Sequence, residues 1–219
     1  MKMRATVLFV AGAVLSCATL GYAQLPVTSG LELWLDAADA STFSYSSGTT
    51  IATWSDKANS HHATPWMADV NRAPVRNATA FGGLPAVRFD GANDGLSIAG
   101  AGFTRPYTVF TVDQYYGAIR GRTLQSASTN WLVGKWANRN AHYATNNGGW
   151  VYFPAAGAQS TAIGEATGNP TSSNYFVNGS AVGGNAYPTA SAAPTNSPGT
   201  LGLVGGGAHA PTAGESGSG

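Results

Sequence analysis

Apolar and polar residues alternate over short stretches along most of this chain, and turn residues separate the stretches. Leu31, Leu33 and Leu35 alternate with more polar neighbours, which is the period of two typical of a half-buried strand. Ten further strands are predicted at residues 50–54, 86–90, 96–98, 107–115, 122–125, 131–135, 149–153, 173–177, 180–182 and 201–204. Short strands at this spacing predict an all-β sandwich or barrel.

Three stretches carry more specific signals. Asn178-Gly179 lies between the apolar segments 175–177 and 180–182 and is the strongest short-range signature of a hairpin. Residues 90–95 predict a second hairpin, with a longer turn between segments 87–89 and 96–98. Residues 107–112 are apolar or β-branched throughout, which predicts an inner strand that is covered on both faces.

The composition agrees with a β-rich fold and excludes two other classes. The chain has 29 Gly and 11 Pro among 219 residues, and only 10% of its residues are charged, against roughly 25% in an ordinary soluble domain. Helical bundles and coiled coils need the charged and straight-chain helix formers that are scarce here. A hydrophobic content of 43% with 11% aromatic residues is too high for a disordered chain.

The first 23 residues predict a secretory signal peptide. Lys2 and Arg4 precede an uncharged apolar run at residues 5–20, and Gly21-Tyr22-Ala23 offers small residues for cleavage after Ala23. A transmembrane anchor is the alternative, but the run is short for a span of about 20 residues. A lipoprotein acylated at Cys17 is a minor alternative. The sequence therefore predicts an exported protein, either secreted or at the cell surface.

Removal of this segment changes the charge and the cysteine count. It leaves nine basic and ten acidic residues, a net charge of −1, so the chain has no electrostatic footprint for nucleic acid or an anionic membrane. It also removes Cys17, the single cysteine, so the mature domain must be held together by its core. Residues 24–219 are predicted to form one such domain, without a membrane span.

Several motifs occur in the order of a known family. They are GLELWLDAAD at 30–39, TWSDK at 53–57, GLPAVRFDG at 83–91, NWLVG at 130–134, YFVNG at 175–179 and LGLVGGG at 201–207. In this order they resemble the bacterial LamG-like jellyroll domains of the concanavalin A-like lectin and glucanase fold. The resemblance implies an antiparallel jellyroll of two sheets, and such domains bind carbohydrate or mediate adhesion more often than they catalyse.

The sequence departs from that family near its end. Family members continue after a Gly-Glu element into a further strand, whereas this sequence closes with Gly and Ser around Glu215. We therefore expect the chain to stop before its last strand. It would then be a fragment of a larger surface or secreted protein with an open sheet edge.

Catalysis is not expected from the acidic residues. Glucanases of this fold carry alternating carboxylates along one strand, whereas Glu32, Glu165 and Glu215 are isolated. A retaining glycosidase needs two carboxylates about 5 to 5.5 Å apart. Asp36 and Asp39 are close in sequence, and turn capping is the favoured interpretation of both. A glycoside hydrolase is therefore the third-ranked function, and no cofactor is expected apart from the calcium alternative below.

A sugar-binding surface is predicted between residues 135 and 150. Aromatic rings offer flat apolar platforms there, and planar polar side chains offer directional partners for hydroxyl groups. The candidates are Lys135, Trp136, Asn138, Arg139, His142, Tyr143 and Trp150. The alternative is that the large rings fill the space between two sheets. With the resemblance, this predicts a carbohydrate-binding or adhesion module whose partner is a polysaccharide or glycan. A structural domain of a larger protein, without a small ligand, is the second interpretation.

Calcium is the one metal that the sequence suggests. Asp90, Asn93 and Asp94 place three oxygen-bearing side chains in one turn, and carboxylate and amide oxygens are the ligands that Ca²⁺ prefers. The favoured alternative is an ordinary turn, since Asp and Asn tolerate turn conformations and hydrogen-bond to the backbone locally.

Overall fold

The computed structural model describes residues 29–114, 122–127, 129–136, 139–144, 150–154, 162–168, 172–186 and 198–204. The chain divides into two units, Met1–Leu31 and Glu32–Gly219, and all elements below belong to the second. Its strands are β1 Phe43–Ser47, β2 Thr50–Trp54, β3 Ala63–Pro65, β4 Val75–Phe81, β5 Leu84–Arg88, β6 Gly95–Phe103, β7 Tyr107–Asp113, β8 Leu124–Ser126, β9 Leu132–Trp136, β10 Arg139–Tyr143, β11 Ala162–Gly168, β12 Ser172–Val177, β13 Ser180–Ala186 and β14 Gly199–Val204. Short 3₁₀ turns occur at Ala40–Thr42, Trp66–Ala68 and Val70–Arg72.

The strands form two antiparallel sheets. Among the described residues, the larger sheet has ten strands in the order β10-β9-β8-β14-β6-β3-β2-β4-β5, with β1 paired to β2. The smaller sheet has the order β13-β12-β11-β7. The predicted all-β, two-sheet antiparallel class is confirmed.

One hydrophobic core joins the two sheets. Ile51, Leu96 and Trp131 from the side of the larger sheet are at most 1% exposed, and they pack with Ala166 and Tyr175 from the smaller sheet. Large rings inside a core of this kind contribute much of its buried apolar area. A second, smaller cluster, built on Leu132, Ala141 and Tyr143, lies apart from this core.

The strand predicted from Leu31 to Leu35 does not form. Instead, the Asp56 carboxylate accepts the backbone N–H of Trp34 at 2.7 Å, and the Trp34 carbonyl accepts the N–H of Lys57 at 3.0 Å. The alternation still identified Leu33 and Leu35 as residues that pack against the core. The prediction of a strand was wrong because turn residues, not a neighbouring strand, satisfy this backbone.

Asp56 is the centre of this turn. Burial raises the pKa of its carboxyl group. Hydrogen bonds from the backbone N–H groups of Ala58, Trp34, Asn59 and His61 lower the pKa by more than burial raises it, so the net pKa is below the ordinary value. The carboxylate is therefore charged and holds the N-terminal segment on the sheet.

The prediction of an inner strand at 107–112 was also wrong. Strand β7 is at the edge of the smaller sheet and pairs with β11. Its side chains alternate, so that Phe110 and Val112 are 67% and 63% exposed while Tyr107 and Val109 pack against the core. An apolar composition does not distinguish a covered strand from an edge strand with an apolar outer face.

Of the two predicted hairpins, one forms. Asn178 and Gly179 adopt φ values of 51° and 79° and join β12 to β13, which confirms the first. Residues 90–95 do turn between β5 and β6, but these strands do not pair, so the second prediction was wrong. β5 pairs with β4, and β6 lies between β14 and β3. The turn is a crossover between non-adjacent strands.

The predicted signal peptide, the alternative acylation site at Cys17 and residues 205–219 lie outside the described residues. Among the residues described, no helix has the length and apolar character needed to cross a membrane.

Candidate functional site

The β9–β10 hairpin at one edge of the larger sheet carries most of the predicted sugar-binding residues and separates them onto two faces. Lys135 is opposite Asn140 in the register, and Trp136 is opposite Arg139. Because side chains alternate along a strand, Lys135, Asn140 and His142 share one face while Trp136, Arg139 and Tyr143 share the other. Asn138 lies outside the described residues.

The outer face of the hairpin carries a stack of aromatic side chains. Trp150 contacts Tyr143 edge to face, with ring centroids 5.1 Å apart, and stacks on Phe153 at 4.5 Å with an interplanar angle of 21°. The Arg139 guanidinium lies 4.7 Å from the centre of the Phe153 ring, and it donates to the Pro154 carbonyl at 2.9 Å. Trp150, Phe153 and Arg139 are all half-buried, so each ring or guanidinium keeps part of its surface accessible.

Arg122 extends this stack beneath Trp136. Its guanidinium lies 5.2 Å from the centre of a Trp136 ring, and it donates to Asn130 Oδ1 at 3.0 Å. Burial lowers the pKa of Arg122 to about 10, which leaves it charged at neutral pH. We use the term aromatic patch for the side chains of Arg122, Trp136, Arg139, Tyr143, Trp150 and Phe153.

The inner face of the hairpin carries a different set. Lys135 is 1% exposed, and its Nζ lies 3.4 Å from Asp113 Oδ1 on β7 of the smaller sheet and donates to Asn140 Oδ1. Thr123 Oγ1 donates to Asp113 Oδ2 at 2.9 Å and accepts the Lys135 backbone N–H at 2.9 Å. Burial raises the pKa of Asp113, although Lys135 and Thr123 both act to lower it. We call Asp113, Thr123, Lys135 and Asn140 the inner polar cluster.

His142 lies next to this cluster among large rings. Its ring centroid is 5.9 Å from that of Tyr175, 6.2 Å from Trp131 and 6.4 Å from Tyr107. Nδ1 donates to the Leu132 carbonyl at 2.9 Å, which leaves Nε2 as a buried acceptor without a hydrogen-bond partner in the described part of the chain. Burial lowers the pKa of His142 to about 4. Lys135 and His142 thus face the interior, away from any ligand on the outer surface.

The stability of the fold should depend on the charge of His142. Because its pKa is about 4 in the folded chain and 6.5 ordinarily, the unfolded chain binds more protons between these values. We expect the free energy of unfolding to fall by about 3 kcal/mol as the pH is lowered from about 6.5 to 4. Chemical denaturation across this range measures it.

The matched control for this pH dependence is His142→Asn, which keeps a donor near the position of Nδ1. Asp113 has the opposite effect on the free energy of unfolding. Its pKa is raised, so the folded chain binds this proton at a higher pH than the unfolded chain does. The difference between the two chains isolates His142. Equal pH dependence in both would contradict the prediction.

Two of the three predicted calcium residues, Asp90 and Asp94, bind backbone N–H groups of their own turn. Asp90 Oδ1 accepts the backbone N–H groups of Ala92, Asn93 and Asp94 at 2.8, 3.1 and 3.2 Å. Asp94 Oδ2 accepts the N–H of Asp90 at 2.8 Å. Within the described ranges, no three His, Cys, Asp or Glu side chains group closely enough to hold a metal ion. Calcium binding by Asp90, Asn93 and Asp94 stays a prediction.

Asp36 and Asp39 cap local turns, as predicted. Asp36 Oδ1 accepts the N–H of Ala38 at 3.0 Å, and Asp39 Oδ1 accepts that of Ser41 at 3.1 Å. Both carboxylates also bind Lys57 Nζ, at 3.0 and 2.9 Å. Hydrogen bonds from Ser41 and Lys57 lower the pKa of Asp39 to about 2. A carboxyl group with so low a pKa is unsuited to be the general acid of a glycosidase.

No protein-family model matches the chain, and neither a curated protein nor a solved structure matches it. The LamG-like resemblance therefore stays a prediction. The aromatic density of residues 135–150 predicted a candidate surface here, but the sequence did not indicate the residues that other segments bring to it. These are Asp113 and Thr123 on the inner face and Arg122 and Phe153 on the outer face.

Proposed function

We propose that this protein is an exported carbohydrate-binding or adhesion module of the LamG-like jellyroll type, and that the aromatic patch is its contact surface. The observation that carries the proposal is the stacked, half-buried set of rings on the outer face of the β9–β10 hairpin, apart from the main core. Two antiparallel sheets around one core support the choice of fold.

The patch has the chemistry that a sugar ring needs. Trp136 and Trp150 are half-buried, and the C–H side of a sugar can pack against the ring surface that they leave accessible. Arg139 supplies hydrogen-bond donors at the same surface. The contacts of Arg139 with Phe153 and with the Pro154 carbonyl fix its orientation before any ligand arrives, which reduces the entropy lost on binding.

The charge of the chain favours an uncharged polymer. After removal of the predicted signal peptide the net charge is −1, so attraction to polyanions would have to come from the patch alone. The patch carries two guanidinium groups, and both are already engaged with aromatic rings. A neutral polysaccharide or glycan, recognised by stacking and hydroxyl hydrogen bonds, is therefore the proposed partner.

Trp136→Ala and Trp150→Ala are each expected to weaken polysaccharide binding about tenfold or more, because each removes a stacking surface from the centre of the patch. Affinity electrophoresis or a glycan array with the purified chain measures the change. The melting temperature of each variant should be recorded beside it, since Trp150 also packs against Tyr143.

Phe110→Ala is the matched control for these variants. Phe110 is 67% exposed on β7 of the smaller sheet, so its removal tests whether any exposed ring would serve. Unchanged binding in this variant, with loss in the two Trp variants, supports the patch. Loss of binding in all three would argue against a specific site. A chain that binds no polysaccharide would favour a structural domain instead.

A further inference from the structure

A lysine side chain in the interior of the molecule needs an explanation. Lys135 is 1% exposed, on the same face of the hairpin as the buried ring of His142. Burying an ammonium group costs several kcal/mol even when it is paired, and a buried ion pair is weak evidence of stability. The groups that contact Lys135 Nζ are therefore informative about its role.

Two of those groups have complementary reactivity. Asn140 is directly opposite Lys135 on β10, and its Oδ1 accepts a hydrogen bond from Nζ, so the amine and the carboxamide touch. Asp113 reaches the same Nζ from the other sheet, with Oδ1 at 3.4 Å. An amine, a carboxamide and a carboxylate thus meet at one atom.

We infer that Lys135 and Asn140 form an intramolecular amide bond between Nζ and Cγ, with Asp113 as the group that transfers protons. Asp113 takes one proton from the Lys135 ammonium, and the neutral amine attacks Cγ of Asn140. The Nζ–Cγ bond forms and the Cγ–Nδ2 bond breaks. The second amine proton passes to Nδ2, which leaves as ammonia. No oxidant, metal or other reactant is required.

The surroundings favour each part of this step. Burial raises the pKa of Asp113, which makes its carboxylate a better acceptor for the Lys135 proton. Thr123 Oγ1 donates to Asp113 Oδ2, which keeps Oδ1 directed at Nζ. His142 and Tyr175, at most 1% exposed, lie on the same side of the hairpin and limit the entry of water. The paired strands hold the reacting groups together, and the limited access of water protects the product from hydrolysis.

The product also removes the cost described above. An amide between Lys135 and Asn140 is neutral, and Asp113 keeps a proton, so no unit charge remains buried at this point. The hairpin becomes cross-linked at the edge of the larger sheet. This inference does not depend on the proposed function, because it concerns the opposite face of the hairpin.

Peptide mapping of the purified chain tests the bond. Trypsin cleaves after Lys135 when its amine is free, but not when it is acylated. If the bond forms, denatured digestion yields the peptide 123–139 linked to the peptide that begins at Asn140, and free 123–135 is absent. The linked pair weighs one ammonia less than the sum of its two peptides. If protein that was purified in its folded state and then denatured releases free 123–135 and no linked pair, the proposal is overturned.

The position of the mass loss matters as much as its size. Cyclisation of an N-terminal Gln24, exposed by cleavage after Ala23, also releases ammonia, and so does succinimide formation at an Asn-Gly sequence. Fragment-ion spectra of the linked pair must therefore place the loss between Lys135 and Asn140. A loss found elsewhere, with Lys135 free, contradicts the bond.

Variants separate the two roles. Lys135→Arg and Asp113→Asn should both abolish the linked pair, the first by removing the nucleophile and the second by removing the proton acceptor. Lys57→Arg, at a lysine bound to carboxylates near the N-terminus, should leave it intact. A linked pair that persists in Asp113→Asn would overturn the role of Asp113. The unmodified chain decides the proposal even if either variant fails to fold.

Discussion

Replacement of Asp113 with alanine is expected to lower the free energy of unfolding by about 3 to 5 kcal/mol. Lys135 is 1% exposed, and Asp113 Oδ1 lies 3.4 Å from its Nζ. The substitution leaves the Lys135 amine in the interior without this carboxyl group, and it also removes the proton acceptor that the amide bond requires. Chemical denaturation at neutral pH measures the loss.

Asp69→Ala is the matched control. Asp69 pairs with Arg72 at 3.4 Å on the surface, where both side chains are at least 34% exposed. Exposed pairs contribute little, so its removal should cost much less than that of Asp113. The double variant Asp113→Ala with Lys135→Met should recover part of the loss, since it leaves no charge buried. Equal losses at Asp113 and Asp69 would show that burial does not decide the effect.

Local sequence predicted those parts of the fold that local chemistry determines. The Asn178-Gly179 turn needs only two residues that tolerate positive φ, and it joins β12 to β13 as expected. The strand at Thr50–Trp54 was predicted with its observed bounds. The turn and the strand both depend on residues that are adjacent in the chain, so a few residues of sequence are enough to predict them.

Predictions failed where distant residues decide the outcome. Residues 32–36 alternate like a strand, yet Asp56, more than 20 positions away, accepts the Trp34 N–H and replaces a neighbouring strand. The composition of β7 predicts a covered strand, but whether Phe110 is covered depends on whether other residues pack on the outer face of the smaller sheet. The pattern of one segment contains no information about its partner.

The same limit applied to the candidate site. The aromatic density of residues 135–150 predicted a sugar-binding surface, and strand alternation explains why Lys135 and His142 face inward while Trp136 faces outward. The role of Lys135 could not be predicted, because Asp113, the carboxyl group that contacts its Nζ, belongs to the other sheet. Only the packing of the two sheets brings them together.

Gly134→Ala is expected to destabilise the fold by about 3 kcal/mol or more. Gly134 has a φ of 106°, and a Cβ there would overlap Thr123 Oγ1 and lie 2.5 Å from Asp113 Oδ2. Backbone strain and overpacking each cost about 1 to 3 kcal/mol. Gly48→Ala isolates the first cost, because its φ is 53° and, in the described part of the chain, no atom beyond Gly48 and its two chain neighbours lies within 4 Å of the added Cβ. Denaturation of both variants measures the difference, and equal losses would mean that Thr123 and Asp113 can move aside.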